Sequence, residues 1–171
     1  MKRKSRRSSP EAAGPAEEAL SAALRMLARR ALSAGEVGSR LAAKGFAEPQ
    51  AAAAVRRLAE LGLVDDRTLC RQLARSYRDV RRYGARKTAG ALRLRRFPPA
   101  MVDEVLREVS SPAEELAAAE AALRKRFRAG LPPGREGAAK AYRFLSGRGF
   151  DPDTCRRAIG GLPRDIEERE E

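Results

Sequence analysis

Three phenylalanines, Phe46, Phe97 and Phe150, stand 51 and 53 residues apart, and each sits at the same place in a recurring pattern. Five residues before each is a leucine (Leu41, Leu92, Leu145), and two before each is a basic residue (Lys44, Arg95, Arg148). Five residues after come Ala51, Val102 and Cys155, and nine after come Val55, Leu106 and Ile159. A set of offsets recurring three times argues for tandem units of about 50 residues, each too small to bury much alone, so that neighbours stack and share surface.

Composition points the same way. The 171 residues are only 5% aromatic and contain no Trp, which disfavours one large core and suits small helical units in a row. The expected fold is all-α, an elongated tandem array of three three-helix repeats at 18–62, 63–110 and 111–162, between a disordered basic arm (1–17) and an acidic tail (163–171).

Start and stop signals divide each unit. In the first, Leu20, Leu24, Leu27 and Ala31 recur at helical spacing from Glu18. Ser33-Ala-Gly-Glu36 is a capping box opening a second helix that ends at Gly45, and Glu48-Pro49 opens a third, carried by Ala51, Val55, Leu58 and Leu61 as far as Gly62. In the second, Asp65-Asp66 supplies an N-cap for a long helix that Tyr83-Gly84 ends. A short helix then carries Ala91 and Leu92, and a third, after Phe97-Pro98-Pro99, carries Val102, Val105 and Val109. In the third unit Ser111-Pro-Ala-Glu114 is again a capping box, and its helix runs to about Arg128. A further helix carries Ala138, Ala141, Tyr142 and Leu145 to Gly147, and Asp151-Pro152 caps a last one that stops at Gly160-Gly161.

Charge is the second constraint. The net charge is +13, and 30 of the 36 basic residues are arginine, a balance that favours a polyanionic partner. Codon bias explains arginine in place of lysine but not clustering. On the long helix, at 100° per residue, Arg67, Arg71, Arg75, Arg78 and Arg82 fall within roughly 80° of arc, opposite Leu69, Cys70, Leu73, Tyr77 and Val80. One face is expected to be core and the other a ridge about 22 Å long. Between Arg67 and Arg96 there are eleven basic residues against the single acid Asp79, a local net charge of +10. Like charges at i,i+4 repel, so a face of one sign implies a partner that neutralises it.

Chemistry is harder to find. Two distant cysteines, Cys70 and Cys155, and the absence of histidine give no support to a disulfide scaffold, a zinc site or a Cys-His nucleophile, so each thiol is expected in a core. Gly84-Ala-Arg-Lys87-Thr88 superficially resembles a phosphate loop, but Arg86 and Arg81 stand where that loop needs glycine. Asp65, Asp66, Glu114 and Glu115 sit at helix starts, where capping accounts for them. No run of 18 apolar residues and no secretory segment occur, so a soluble cytoplasmic protein without catalytic site, metal or cofactor is expected.

The order of motifs is more specific than any one of them. Leu41 with Lys44-Gly45-Phe46, then Leu61-Gly-Leu-Val-Asp-Asp66, the basic helix, Tyr83-Gly-Ala-Arg-Lys87, Leu92 with Arg95-Arg96-Phe97, and finally Phe144-Leu-Ser-Gly-Arg-Gly-Phe150 together resemble the RecX family of bacterial regulators of the RecA recombinase. The resemblance runs from roughly Ala22 to Gly161. It implies a protein that lies in the groove of the RecA-DNA filament and inhibits RecA activity, meeting RecA and the phosphates of single-stranded or duplex DNA. The chain is expected to be a monomer with no membrane or small-molecule partner. The filament or DNA contacts are then expected at Arg67, Arg71, Arg75, Arg78, Arg82, Arg86, Lys87, Arg93, Arg95 and Arg96. Two departures stand out. Arg95-Arg96-Phe97 lacks the glycine usual in the family, which is expected to alter that turn, and Leu69-Cys70 replaces an aromatic followed by alanine. The residues alone leave two alternatives, a helical module acting directly on DNA without RecA and an adaptor for another acidic protein.

Overall fold

Where the chain marks a helix start locally, a helix starts. Ser33 Oγ accepts from the Glu36 amide at 3.0 Å while the Glu36 carboxylate accepts from the Ser33 amide at 3.1 Å. Ser111 and Glu114 repeat the box at 3.2 and 2.8 Å. Asp151 opens the last helix by accepting from the amides of Asp153 and Thr154 at 2.9 and 3.0 Å.

The computed structural model describes residues 14–161, and these are all-helical. The helices are α1 (Pro15–Leu27), α2 (Ala34–Ala43), α3 (Glu48–Glu60), α4 (Asp66–Asp79), α5 (Ala85–Leu94), α6 (Pro99–Val109), α7 (Pro112–Arg126), α8 (Gly134–Gly147) and α9 (Pro152–Gly160). Helix α1 begins at Pro15, ahead of the expected Glu18, and the rest of the basic arm and the acidic tail lie outside the described residues. None of these helices is long and apolar enough to cross a membrane.

The chain divides into two units, one ending at Asp66 and one beginning at Arg67. In the first, α1, α2 and α3 enclose a core of Leu32, Val37, Leu41, Leu58 and Val64 with five alanines. Here the expected face of α1 is corrected. Ala19, Ala22 and Ala23 are the buried positions, whereas Leu24 is 40% exposed and Ala31 lies on the surface. Small side chains let two helices approach closely, and α3 contributes Ala51 and Ala54 to the same core. Leu61, read as part of α3, follows its end and is 49% exposed.

The second unit holds two cores. Cys70, Leu92, Phe97, Val102 and Val105 fill the one formed by α4, α5 and α6, and Leu123, Ala141, Leu145, Phe150 and Cys155 fill the one formed by α7, α8 and α9. Both thiols are buried, one in each of these cores. Val80 is a second correction, because α4 ends at Asp79 and Val80 is 75% exposed.

The repeat acquires a structural cause in three equivalent turns. The amide of Phe46 donates to Leu41 O at 3.2 Å, that of Phe97 to Leu92 O at 3.4 Å, and that of Phe150 to Leu145 O at 3.3 Å. In each, the preceding residue closes a second bond three residues back: Gly45 to Ala42, Arg96 to Arg93, and Gly149 to Ser146. These are Schellman endings, in which a hydrophobic pair flanks a residue in the left-handed conformation. Leucine and phenylalanine five apart are that pair. The left-handed residue has φ of 90° at Gly45, 60° at Arg96 and 85° at Gly149. The turn expected to change at Arg96 therefore does not change. Arginine is forced into it, at a cost of roughly 1 kcal/mol relative to glycine.

Candidate functional site

Helix α4 puts Cys70 and Ala74 into the core and leaves arginines outside. The ridge is shorter than a continuous helix to Arg82 would make it. From Arg67 to Arg78 it spans about 16 Å. Arg82 lies beyond the helix end with φ of 54°, out of register with the others.

Part of the ridge finds its counter-charge inside the chain. Arg67 donates to Glu104 at 3.1 Å and also pairs with Glu108, while Arg71 donates to the other Glu108 oxygen at 3.0 Å. Both glutamates belong to α6. The hydrogen bonds from Arg71 and Arg67 hold the Glu108 carboxyl below its ordinary range, and Glu108 together with Glu104 pushes Arg67 up. Arg78, 20% exposed, donates to Asp79 at 2.8 Å and to the carbonyl of Val109, the last residue of α6, so it caps that helix. Arg93 pairs with Asp103 at 2.8 Å. These acids lie 10 to 41 residues from their partners, except Asp79, so the helical wheel of α4 alone does not reveal them.

The remaining basic residues divide by surroundings. Lys87 lies 4.7 Å from the centre of the Tyr83 ring and donates to Gly147 O at 3.1 Å. Arg75, Arg86 and Arg96 are exposed, and no acidic partner meets them among the described residues. Arg95 is half-buried. Arg82 is half-buried too, and its Nε is enclosed without an acceptor. The ten expected residues are thus not one uniform face. Arg67, Arg71, Arg78 and Arg93 are engaged within the chain, and Arg75, Arg86 and Arg96 keep their charge open to solvent.

The Tyr83–Lys87 turn is held by the α8–α9 turn. Gly84 N donates to Arg148 O at 2.8 Å, and Arg86 N donates to Gly149 O at 3.1 Å. Ala85 N, the first amide of α5, donates to the Glu115 carboxylate at 2.6 Å, and Ser110 Oγ donates to the other oxygen at 3.2 Å. Glu115 is 8% exposed, and burial raises its pKa despite those bonds. Arg148 reaches back to the carbonyls of Arg81 and Arg82 at 2.6 and 3.3 Å. Sequence reasoning marks Arg148 only as the basic member of the third repeat, and Lys125 and Arg126 only as part of a helix. All three line a cleft with Arg82. The run Arg124-Lys125-Arg126 just before Phe127 is the signal available for it in sequence.

Comparison with known proteins agrees with this architecture. Residues 19–58 match the model described as RecX, first three-helix domain, and residues 113–159 match RecX, third three-helix domain. A Regulatory protein RecX from Thermus thermophilus is 42% identical over 133 residues, covering 78% of this chain and 84% of that protein. One from Halorhodospira halophila is 36% identical over 156 residues, covering 91% and 95%. In structure, RecX from Lactobacillus salivarius aligns with a TM-score of 0.75 at 17% identity over 85% of this chain and 95% of that one. With three-helix domains at both ends, the three Leu-Phe turns and these relatives, the chain belongs to the RecX family.

Proposed function

We propose that this chain is a cytoplasmic, non-enzymatic regulator that binds the RecA-DNA filament and inhibits RecA-driven ATP hydrolysis and strand exchange. Family membership supports a regulatory role, since the relatives are named regulatory proteins. The observation that carries the contact is the set of exposed arginines left without an acid, Arg75, Arg86 and Arg96, beside a ridge whose other charges are only partly covered. Exposed ion pairs such as Arg71–Glu108 contribute little stability and exchange readily, so an incoming phosphate or carboxylate competes for them.

The test is the triple reversal Arg75→Glu, Arg86→Glu, Arg96→Glu, which leaves the α4–α6 pairs intact. Its helicity should match the unaltered protein, while inhibition of RecA ATP hydrolysis on single-stranded DNA is lost. Undiminished inhibition removes these residues from the interface. The second reading, a helical module on DNA without RecA, is favoured by the cationic cleft beside Arg82. Pull-down on RecA filaments and on bare single-stranded DNA at two salt concentrations separates the two, because the regulator prefers the filament and the module does not.

A further inference from the structure

The chain carries a second concentration of positive charge that the ridge does not include. A cleft of about 190 Å³ in the second unit is lined by Arg82, Ala122, Lys125, Arg126, Phe144 and Arg148. Four of these six side chains are cationic and none is acidic.

The cations are held by groups that leave their charge uncancelled. Arg148 donates Nη1 to two backbone carbonyls of the α4–α5 connection, and its guanidinium lies 4.8 Å from the Phe144 ring centre. The Arg126 guanidinium lies 5.4 Å from the Phe127 ring, and Phe127 meets Phe144 edge to face at 5.5 Å. Arg126, Phe127, Phe144 and Arg148 thus form a run of cation–π and edge-to-face contacts, of which Arg126, Phe144 and Arg148 line the cleft. The negative ends of α7 and α8 favour Arg126 and Arg148 where they stand. They do not account for Arg82, which belongs to neither helix, adopts a left-handed backbone at φ of 54° and encloses an Nε with no acceptor. An enclosed guanidinium N–H without a partner carries a cost that no acceptor among the described residues offsets.

We infer that this cleft is a binding site for a phosphate group of a nucleic-acid strand, held by Arg82, Lys125, Arg126 and Arg148. The donors converge from three segments, the α4–α5 connection, the end of α7 and the turn that follows α8. A tetrahedral phosphate turns oxygens toward all three, whereas a planar carboxylate presents two oxygens in one plane and suits a single arginine fork. The phosphate chemistry is independent of the function proposed above. Only the choice of a nucleic-acid strand as its source rests on that reading.

The test needs no RecA, so its failure is separate from failure of RecA regulation. The arginine Nε–H resonances of the full chain are recorded by NMR, and Arg82 is assigned by the peak lost in Arg82→Lys. Titration with inorganic phosphate should shift that peak, and an oligothymidylate should shift it at much lower concentration. A poly-glutamate of similar length should not. A silent Arg82 peak with phosphate, no response to the oligothymidylate, or an equal response to poly-glutamate each overturns the inference. Since Lys125 and Arg126 are exposed, Lys125→Gln with Arg126→Gln should fold normally. The double variant should flatten the salt dependence of oligothymidylate binding by roughly 0.7 in log-log slope per cation removed. An unchanged slope would equally count against the site.

Discussion

The amide of Gly84 donates to the carbonyl of Arg148 at 2.8 Å, which fastens the turn after α4 to the turn after α8. Glycine is required on both sides of that junction. A Cβ on Gly84 would stand 2.6 Å from Gly149 O, and one on Gly149 would stand 2.9 Å from Lys87 Cα while its backbone sits at φ of 85°. Gly84→Ala should therefore destabilise the protein by about 1 to 3 kcal/mol, the usual range for overpacking where backbone must shift. A urea melt checks this, and a loss below about 0.5 kcal/mol would be incompatible with so close an approach.

Arg96 occupies a position where both other repeats have glycine. Arg96→Gly should stabilise the fold by about 1 kcal/mol, seen as a higher urea midpoint at unchanged slope. The same change should weaken binding to single-stranded DNA, because an exposed cation is removed. Stability and binding moving in opposite directions is the expected signature of strain retained for contact.

Glu115, in the first turn of α7, is a buried carboxylate that accepts from the first amide of α5, and burial raises its pKa. A raised folded pKa means the folded protein holds the proton where the unfolded chain has released it. Stability from this group is therefore present below the unfolded pKa and falls as pH rises through the window up to the folded value. Glu115→Gln keeps a carbonyl oxygen for Ala85 N and removes the titration. Its stability relative to the unaltered protein should be most favourable at neutral pH and decline as pH falls through that window. Parallel urea melts across the acidic range give the comparison, and a pH-independent difference would count against the burial of the charge.

Glu104 and Glu108 compete with any external anion for Arg67 and Arg71. Glu104→Gln with Glu108→Gln should tighten binding of single-stranded DNA severalfold and steepen its salt dependence, with little change in stability. Fluorescence anisotropy with a labelled oligonucleotide measures both. Unchanged affinity would mean that this end of the ridge faces no anion.

What could be seen in the sequence was what is settled within a few residues. Ser33 with Glu36, Ser111 with Glu114 and Asp151 with Thr154 are closed by neighbours, and the Leu-Phe pairs are internal to one turn. The burial of Ala19, Ala22 and Ala23 in place of Leu24 was hidden, because it depends on how closely α1 meets another helix. Periodicity on α4 found the arginines but not Glu104 and Glu108, which approach only after α6 folds back. The cleft was least visible, since Arg82, Lys125 and Arg148 come from segments that no local pattern connects.

One arrangement orders events in time. Ala34 and Ala85, 51 residues apart, are the first residues of α2 and α5, and each amide is capped by a carboxylate from further along the chain, Asp66 at 2.8 Å and Glu115 at 2.6 Å. Both caps come from the start of the helix that opens the following repeat. During synthesis, each of these two amides therefore stays without its carboxylate until the next group has begun to emerge, so these contacts form in the direction of translation.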